Sequence, residues 1–113
     1  MNEEKIKNLL RDFAKDRDWE QFHNLKNLAS ALSVEASELL EIFQWSKNDG
    51  MIKDKETYNK VADEVADIML YLIRFSDIAE INIEEACFNK IEKNKKRYPI
   101  KLSKGISKKY NEL

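Results

Sequence analysis

Apolar residues recur along most of this chain at intervals of three and four, the spacing of one face of an α-helix. Ile6, Leu9, Leu10 and Phe13 mark a first amphipathic helix ending near Asp16-Arg17-Asp18. An aromatic link, Trp19 to His23, leads into a second stripe of Leu25, Leu28, Ala29, Leu32, Ala36, Leu39 and Phe43, with Asn24 placed to cap it. Asn48-Asp49-Gly50 is a turn signal, and a third helix is expected from about Asp54 to Glu80. Asn82 followed by Glu85 has the form of a capping arrangement for a fourth helix, which Pro99 must end or follow. Residues 100–113 read as a polar tail.

Two acidic pairs at one spacing, Glu35-Ala-Ser-Glu38 and Glu64-Val-Ala-Asp67, interrupt the two most hydrophobic of these helices. On a helical wheel Glu35 falls between Leu28 and Ile42 and points toward the core, with Glu38 at the rim of that face. On the third helix Val61, Val65, Ile68, Met69, Leu72 and Phe75 cover one broad side, and Ala66, Leu70 and Ile73 most of the other. The polar window between them contains Glu64, Asp67 and Tyr71. A helix apolar on both sides is buried on both sides, and in so short a chain the second side is expected to meet another subunit.

Composition narrows the class. Gly 2 and Pro 1 in 113 residues are too few turn formers for many short strands, so the fold class is all-α, read as a single domain over residues 1–113. With 20 basic and 21 acidic residues the net charge of -1 offers no global attraction to nucleic acid or to anionic membranes. No apolar run approaches the roughly 18 residues of a membrane span, and the first residues lack a signal-peptide pattern. Cys87 stands alone and forms no internal disulfide. A cytoplasmic protein is expected.

The spacing by itself is common here, since Glu38 with Glu41 and Asp77 with Glu80 repeat it. Two pairs on core-facing positions of consecutive helices are another matter. Antiparallel packing brings them together, where like charges about 5 Å apart repel by roughly 3 kcal/mol at an effective dielectric near 20. A hard cation relieves that repulsion. The lone histidine, His23, belongs to neither pair, so a di-iron site of Glu-x-x-His motifs does not fit. Oxygen-only ligands favour Mg2+, with Mn2+ as a substitute, and Mg2+ usually binds alongside substrate phosphates.

These residues also carry a resemblance. Glu35-x-x-Glu38, a spacer and Glu64-x-x-Asp67 resemble the signature of the MazG-like all-α nucleoside triphosphate pyrophosphohydrolases. The likeness is closest to the dCTP pyrophosphatase branch, through Arg17-Asp18-Trp19-Glu20-Gln21-Phe22-His23, Phe43-Gln44-Trp45, Tyr71-Leu72, Arg97-Tyr98-Pro99 and Lys109-Tyr110-Asn111-Glu112-Leu113. The resemblance implies a four-helix-bundle-type fold completed by oligomerisation, commonly as a homotetramer. It implies Mg2+-dependent hydrolysis of deoxynucleoside triphosphates, dCTP and 5-modified dCTP ahead of others, to the monophosphate and pyrophosphate. Glu35, Glu38, Glu64 and Asp67 become metal ligands, with Glu38 the favoured general base. Trp19 and Trp45 help form the base pocket, and Tyr71, Lys90 and Asn94 contact the nucleotide, the last two across a subunit boundary. Two departures bear on base selectivity: the animal enzymes have a histidine in the first helix where this chain has Leu10, and the loop between the acidic helices is shorter here.

Plainer readings stand beside these. Trp19 and Trp45 can be core or interface anchors, His23 a structural or surface histidine, and Cys87, between Ala86 and Phe88, a buried and inert thiol. From Lys90 to Lys109 nine basic residues accompany one acid, a solvated face or a cradle for triphosphate oxygens. Three alternatives remain open: a broad-specificity MazG-like pyrophosphohydrolase, a non-catalytic helical interaction module and a nucleotide-binding regulator without turnover.

Overall fold

A computed structural model describes residues 1–46 and 52–113. Asn48-Asp49-Gly50 therefore lies outside the described residues. The chain is helical: α1 Glu3–Asp16, a 3-10 turn Glu20–Phe22, α2 Leu25–Phe43, α3 Lys55–Ile78, α4 Ile83–Arg97, the short α5 Ile100–Ser103 and a 3-10 turn Tyr110–Glu112. Among the described residues there is no strand, and no helix is long and apolar enough to cross a membrane. The segment read as a polar tail thus forms local structure, with Leu102 and Ser103 amides bonded back to Pro99 and the Tyr98 and Tyr110 rings meeting edge to face at 6.4 Å.

Each of the helices α1 to α4 starts where a short polar side chain replaces a missing backbone acceptor. The side chains of Asn2, Asn24, Asp54 and Asn82 accept the amides of Lys5, Asn27, Thr57 and Glu85 at 3.0, 2.8, 2.9 and 3.0 Å. Asn24, Asp54 and Asn82 are the starts anticipated from sequence. The end of α1 decides more for the site. Asp18 takes a left-handed conformation (φ 55°), the amide of Trp19 bonds to the Ala14 carbonyl at 2.9 Å, and that of Asp18 to Lys15 at 3.1 Å. This is a Schellman ending with aspartate in the place glycine usually holds. The turn brings the Trp19 ring edge-on to Phe13 at 5.6 Å, while the Arg17 guanidinium covers the Phe13 ring at 3.6 Å.

By its internal contacts the chain divides into two compact units, Met1–Glu80 and Ile81–Leu113. In the first, α3 packs along α2 and also against α1, around the fully buried Ala14, Leu28 and Ile73. An ion pair ties α1 to α3: Arg11 Nε and Nη2 donate to the two carboxylate oxygens of Asp77 at 2.8 and 2.6 Å. That bidentate contact holds the Asp77 carboxyl below its usual pKa. Val34, Leu40 and Val65 remain exposed on α2 and α3. In the second unit α4 has no buried residue, and Phe88 is 62% exposed. Cys87 is exposed with it, which corrects the expectation of a buried thiol: within this unit nothing covers the apolar positions around it.

Capping carries a simple consequence, because Asn24 opens the helix that holds Glu35 and Glu38. Asn24→Ala is expected to lower unfolding stability by about 1 kcal/mol. Denaturant titration reads the change, and a stability equal to wild type would contradict the cap.

Candidate active site

Glu35 sits midway along α2, two turns beyond the buried Leu28, and Glu64 and Asp67 sit one turn apart on α3. Packing of α2 on α3 brings one carboxylate oxygen from each of the three within 4.8 Å of the others. Glu35 and Glu64 are half-buried, and the Oε2 atom of each is shut off from solvent without a hydrogen-bond donor. Burial that orphans two anionic oxygens side by side is costly unless a proton or a cation joins them. Such a donor set, all oxygen and all anionic, fits a hard divalent cation. Glu38 lies outside that group of three, yet close enough for its charge to act on Glu35 and Glu64.

The electrostatics express the same constraint. The Glu35 carboxyl is pushed up from 4.5 to about 7, first through a proton it can share with Glu64, then through burial, then through Glu38 and Asp67. Glu64 is raised as well, chiefly by burial.

Beside the acids opens a cavity of about 530 Å³. Ile6, Leu9, Leu10 and Phe13 of α1 and Leu70 of α3 supply its apolar wall, with Trp19, Tyr71 and His23 as amphipathic ring surfaces. Glu35 and Asp67 reach it at the acidic end, and Arg74 also lines it. The Trp19 and His23 rings meet edge to face at 6.5 Å. His23 Nδ1 accepts from Arg74 Nε at 3.2 Å, and Arg74 Nη1 lies 3.6 Å from Asp77 Oδ2. Burial, and then the Arg74 charge, lower the His23 pKa. A neutral ring that accepts at Nδ1 carries its proton on Nε2.

The structure thus gathers Glu35, Glu64 and Asp67, with Glu38 beside them, and lines the adjoining cavity with Trp19 and Tyr71. It does not gather the rest. Trp45 is 89% exposed and is not among the cavity-lining residues. Lys90 and Asn94 lie one turn apart on α4, both exposed, in the second unit. Two cavity residues escaped the sequence reading as functional groups, Arg74 and His23. Arg74 had a legible signal: seven residues beyond Asp67, it returns to the polar window of Glu64, Asp67 and Tyr71 on the same helix. His23 had none, because its place depends on the turn at Asp18 and on a partner 51 residues away.

Comparison with known proteins bears on this geometry. The profile of the MazG-like family matches residues 30–113. The rat (Rattus norvegicus) protein named dCTP pyrophosphatase 1 is 37% identical over 114 residues, covering 97% of this chain and 66% of its own length. The human (Homo sapiens) protein of that name is 37% identical with the same coverage, so the chain spans about two thirds of these curated relatives. The crystal structure of a pyrophosphatase from Archaeoglobus fulgidus superposes with a TM-score of 0.73 at 40% identity, covering 85% of this chain and 91% of that one.

The acid cluster fixes a pH dependence. Glu35 binds its proton more tightly folded than unfolded, so its contribution to the stability of the metal-free protein is complete below about 4.5 and is lost as pH rises through about 7. In chelator, the melting temperature is therefore expected to carry a component that falls across that window, and Glu35→Gln should flatten it. Added Mg2+ or Mn2+ should raise the melting temperature most above pH 7, where the ligands are deprotonated. A melting temperature indifferent to divalent cations across the range would contradict a metal centre here.

Proposed function

The chain belongs to the MazG-like family, and from that premise we propose that it hydrolyses deoxynucleoside triphosphates to the monophosphate and pyrophosphate, dCTP and 5-substituted dCTP ahead of the others. The observation that carries this reading is the cluster of Glu35, Glu64 and Asp67 opening into an apolar cavity of about 530 Å³. An anionic cluster alone repels a triphosphate, and an apolar cavity alone does not select one. Together, with a cation between acids and phosphates, they suit a molecule with a flat base at one end and a polyphosphate at the other. The names of the rat and human relatives point the same way.

On this reading Glu35, Glu38, Glu64 and Asp67 hold Mg2+, or Mn2+ in its place. When bound, the ion neutralises phosphate charge and polarises the α-phosphoryl group. Trp19 stacks on the base, and Tyr71 closes the wall between base and acids. Glu38, set beside the cluster and outside the closest group of three, accepts the proton of the attacking water. Trp45 completes the pocket, and Lys90 and Asn94 reach the nucleotide, in a homo-oligomer, with a tetramer as the expected state. The exposed Val65, Phe88 and Ile91 supply apolar surface for that assembly. The proposed setting is the cytoplasm, where the reaction removes unwanted deoxynucleotides before polymerases use them.

The test is a panel of canonical and 5-methylated deoxynucleotides with Mg2+, the products identified by mass. Pyrophosphate and a monophosphate are expected, with chelator stopping the reaction; orthophosphate and a diphosphate as first products would contradict the reading. A purine turned over faster than dCTP would place the chain with broad-specificity relatives instead. Asp67→Asn should lower kcat by about a thousandfold or more while the helical signal persists, since lost metal-based stabilisation typically costs several kcal/mol.

Assembly has its own measurement. Light scattering at assay concentrations is expected to report a tetramer, and a fully active monomer would refute a nucleotide site shared between subunits.

A further inference from the structure

Arg74 is 9% exposed, yet it lines the cavity rather than an ion-pair network alone. A buried guanidinium is expensive unless its five N–H donors are met. Here Nε is taken by His23 at 3.2 Å, and Nη1 lies 3.6 Å from Asp77, whose two oxygens are already engaged by Arg11 at 2.8 and 2.6 Å. Among the described residues no other partner reaches the guanidinium. The network therefore fixes the plane of the fork without using its donors up. Asp77 is held by α1, His23 by the turn after it, and what remains of the fork has the cavity to face.

Position adds chemistry. Arg74 stands seven residues beyond Asp67 on α3, about 10 Å of helix rise. That is the order of the span from an α-phosphate to the hydrogen-bonding edge of its own base. Trp19 and the apolar wall lie in the same cavity. Stacking on such walls accepts any base, so discrimination must come from a polar group. A guanidinium only donates, and it recognises two adjacent acceptors best. Cytosine offers such a pair in O2 and N3. Thymine and uracil place an N–H at position 3, donor against donor.

We propose that Arg74, locked by His23 and Asp77, is the residue that reads the base, donating to the O2/N3 edge of cytosine and so setting preference for dCTP over dTTP. The inference rests on the proposed nucleotide site and names the contact that gives it selectivity.

The experiment compares dCTP, dTTP and 3-deaza-dCTP, which keeps O2 and the amine but lacks the N3 acceptor, on wild type, Arg74→Met and Arg74→Lys. Wild type should favour dCTP over 3-deaza-dCTP in kcat/KM by roughly ten- to hundredfold, the discrimination one bidentate pair gives, mainly through KM. Arg74→Met should lose that preference and most of the preference over dTTP, so that variant and analogue are not additive. Arg74→Lys, which keeps the charge, should recover only part of it. If Arg74→Met slows dCTP and dTTP alike and still distinguishes 3-deaza-dCTP, the side chain is a strut for His23 and Asp77, and the inference is overturned. A wild type indifferent to N3 overturns it without any variant, should Arg74→Met fail to fold. If no deoxynucleotide is hydrolysed, the proposed activity falls separately, and wild-type Kd values for α,β-imido-dCTP and its 3-deaza form decide the contact: a ten- to hundredfold gap that narrows in Arg74→Lys upholds it, and equal wild-type Kd values overturn it.

Discussion

Two carboxylates that must share one space between α2 and α3 set the terms for the rest of this molecule. Glu35 and Glu64 are carried there by helices whose apolar residues, Leu28 and Ile73 among them, have every reason to pack. The hydrophobic contact and the acid pair cannot be separated, since both ride on the same helical faces. The fold therefore carries a local repulsion that either a proton or a cation must relieve, and the raised pKa of the Glu35 carboxyl corresponds to the proton option. Stability, proton binding and metal binding are thereby linked through one pair of side chains.

The cavity continues that logic along α3. Its face runs from Glu64 and Asp67 at one end through Leu70 and Tyr71 to Arg74, from anionic through apolar to cationic. A ligand that is polyanionic at one end and aromatic at the other matches this order only with a cation on the acids, which is why the proposed activity and the proposed metal stand or fall together. The cationic end is held rigid from outside the cavity by the Arg11–Asp77 pair joining α1 to α3. Arg74 can then meet a ligand without first losing much side-chain freedom.

Most helices were legible because their signals are local. The stripes of α1 to α3 follow the 3.6-residue period, Asn24 and Asn82 cap where they were expected, and α3 opens at the expected Asp54. The inward aim of Glu35 also followed from the wheel, since a core-facing position on an apolar helix stays core-facing once the helix packs. What failed depended on distant parts of the chain. Cys87 looked buried because Ala86 and Phe88 flank it, but burial needs a covering surface, and α4 has none in its own unit. His23 became a cavity residue through the left-handed turn at Asp18, a conformation that aspartate adopts too seldom to be read from sequence. Arg74 was overlooked although its helical phase matched the acids, because a lone arginine on an amphipathic helix ordinarily marks the solvent edge.

The central claim is that the carboxylates of α2 and α3 form a divalent-cation centre, and electron paramagnetic resonance of added Mn2+ tests it most directly. Wild type at pH 8 should take up Mn2+ stoichiometrically, and Glu35→Gln, Glu64→Gln and Asp67→Asn should each weaken uptake severely while remaining folded. Uptake unchanged by all three substitutions, or none in wild type with or without dCMP, would contradict the account.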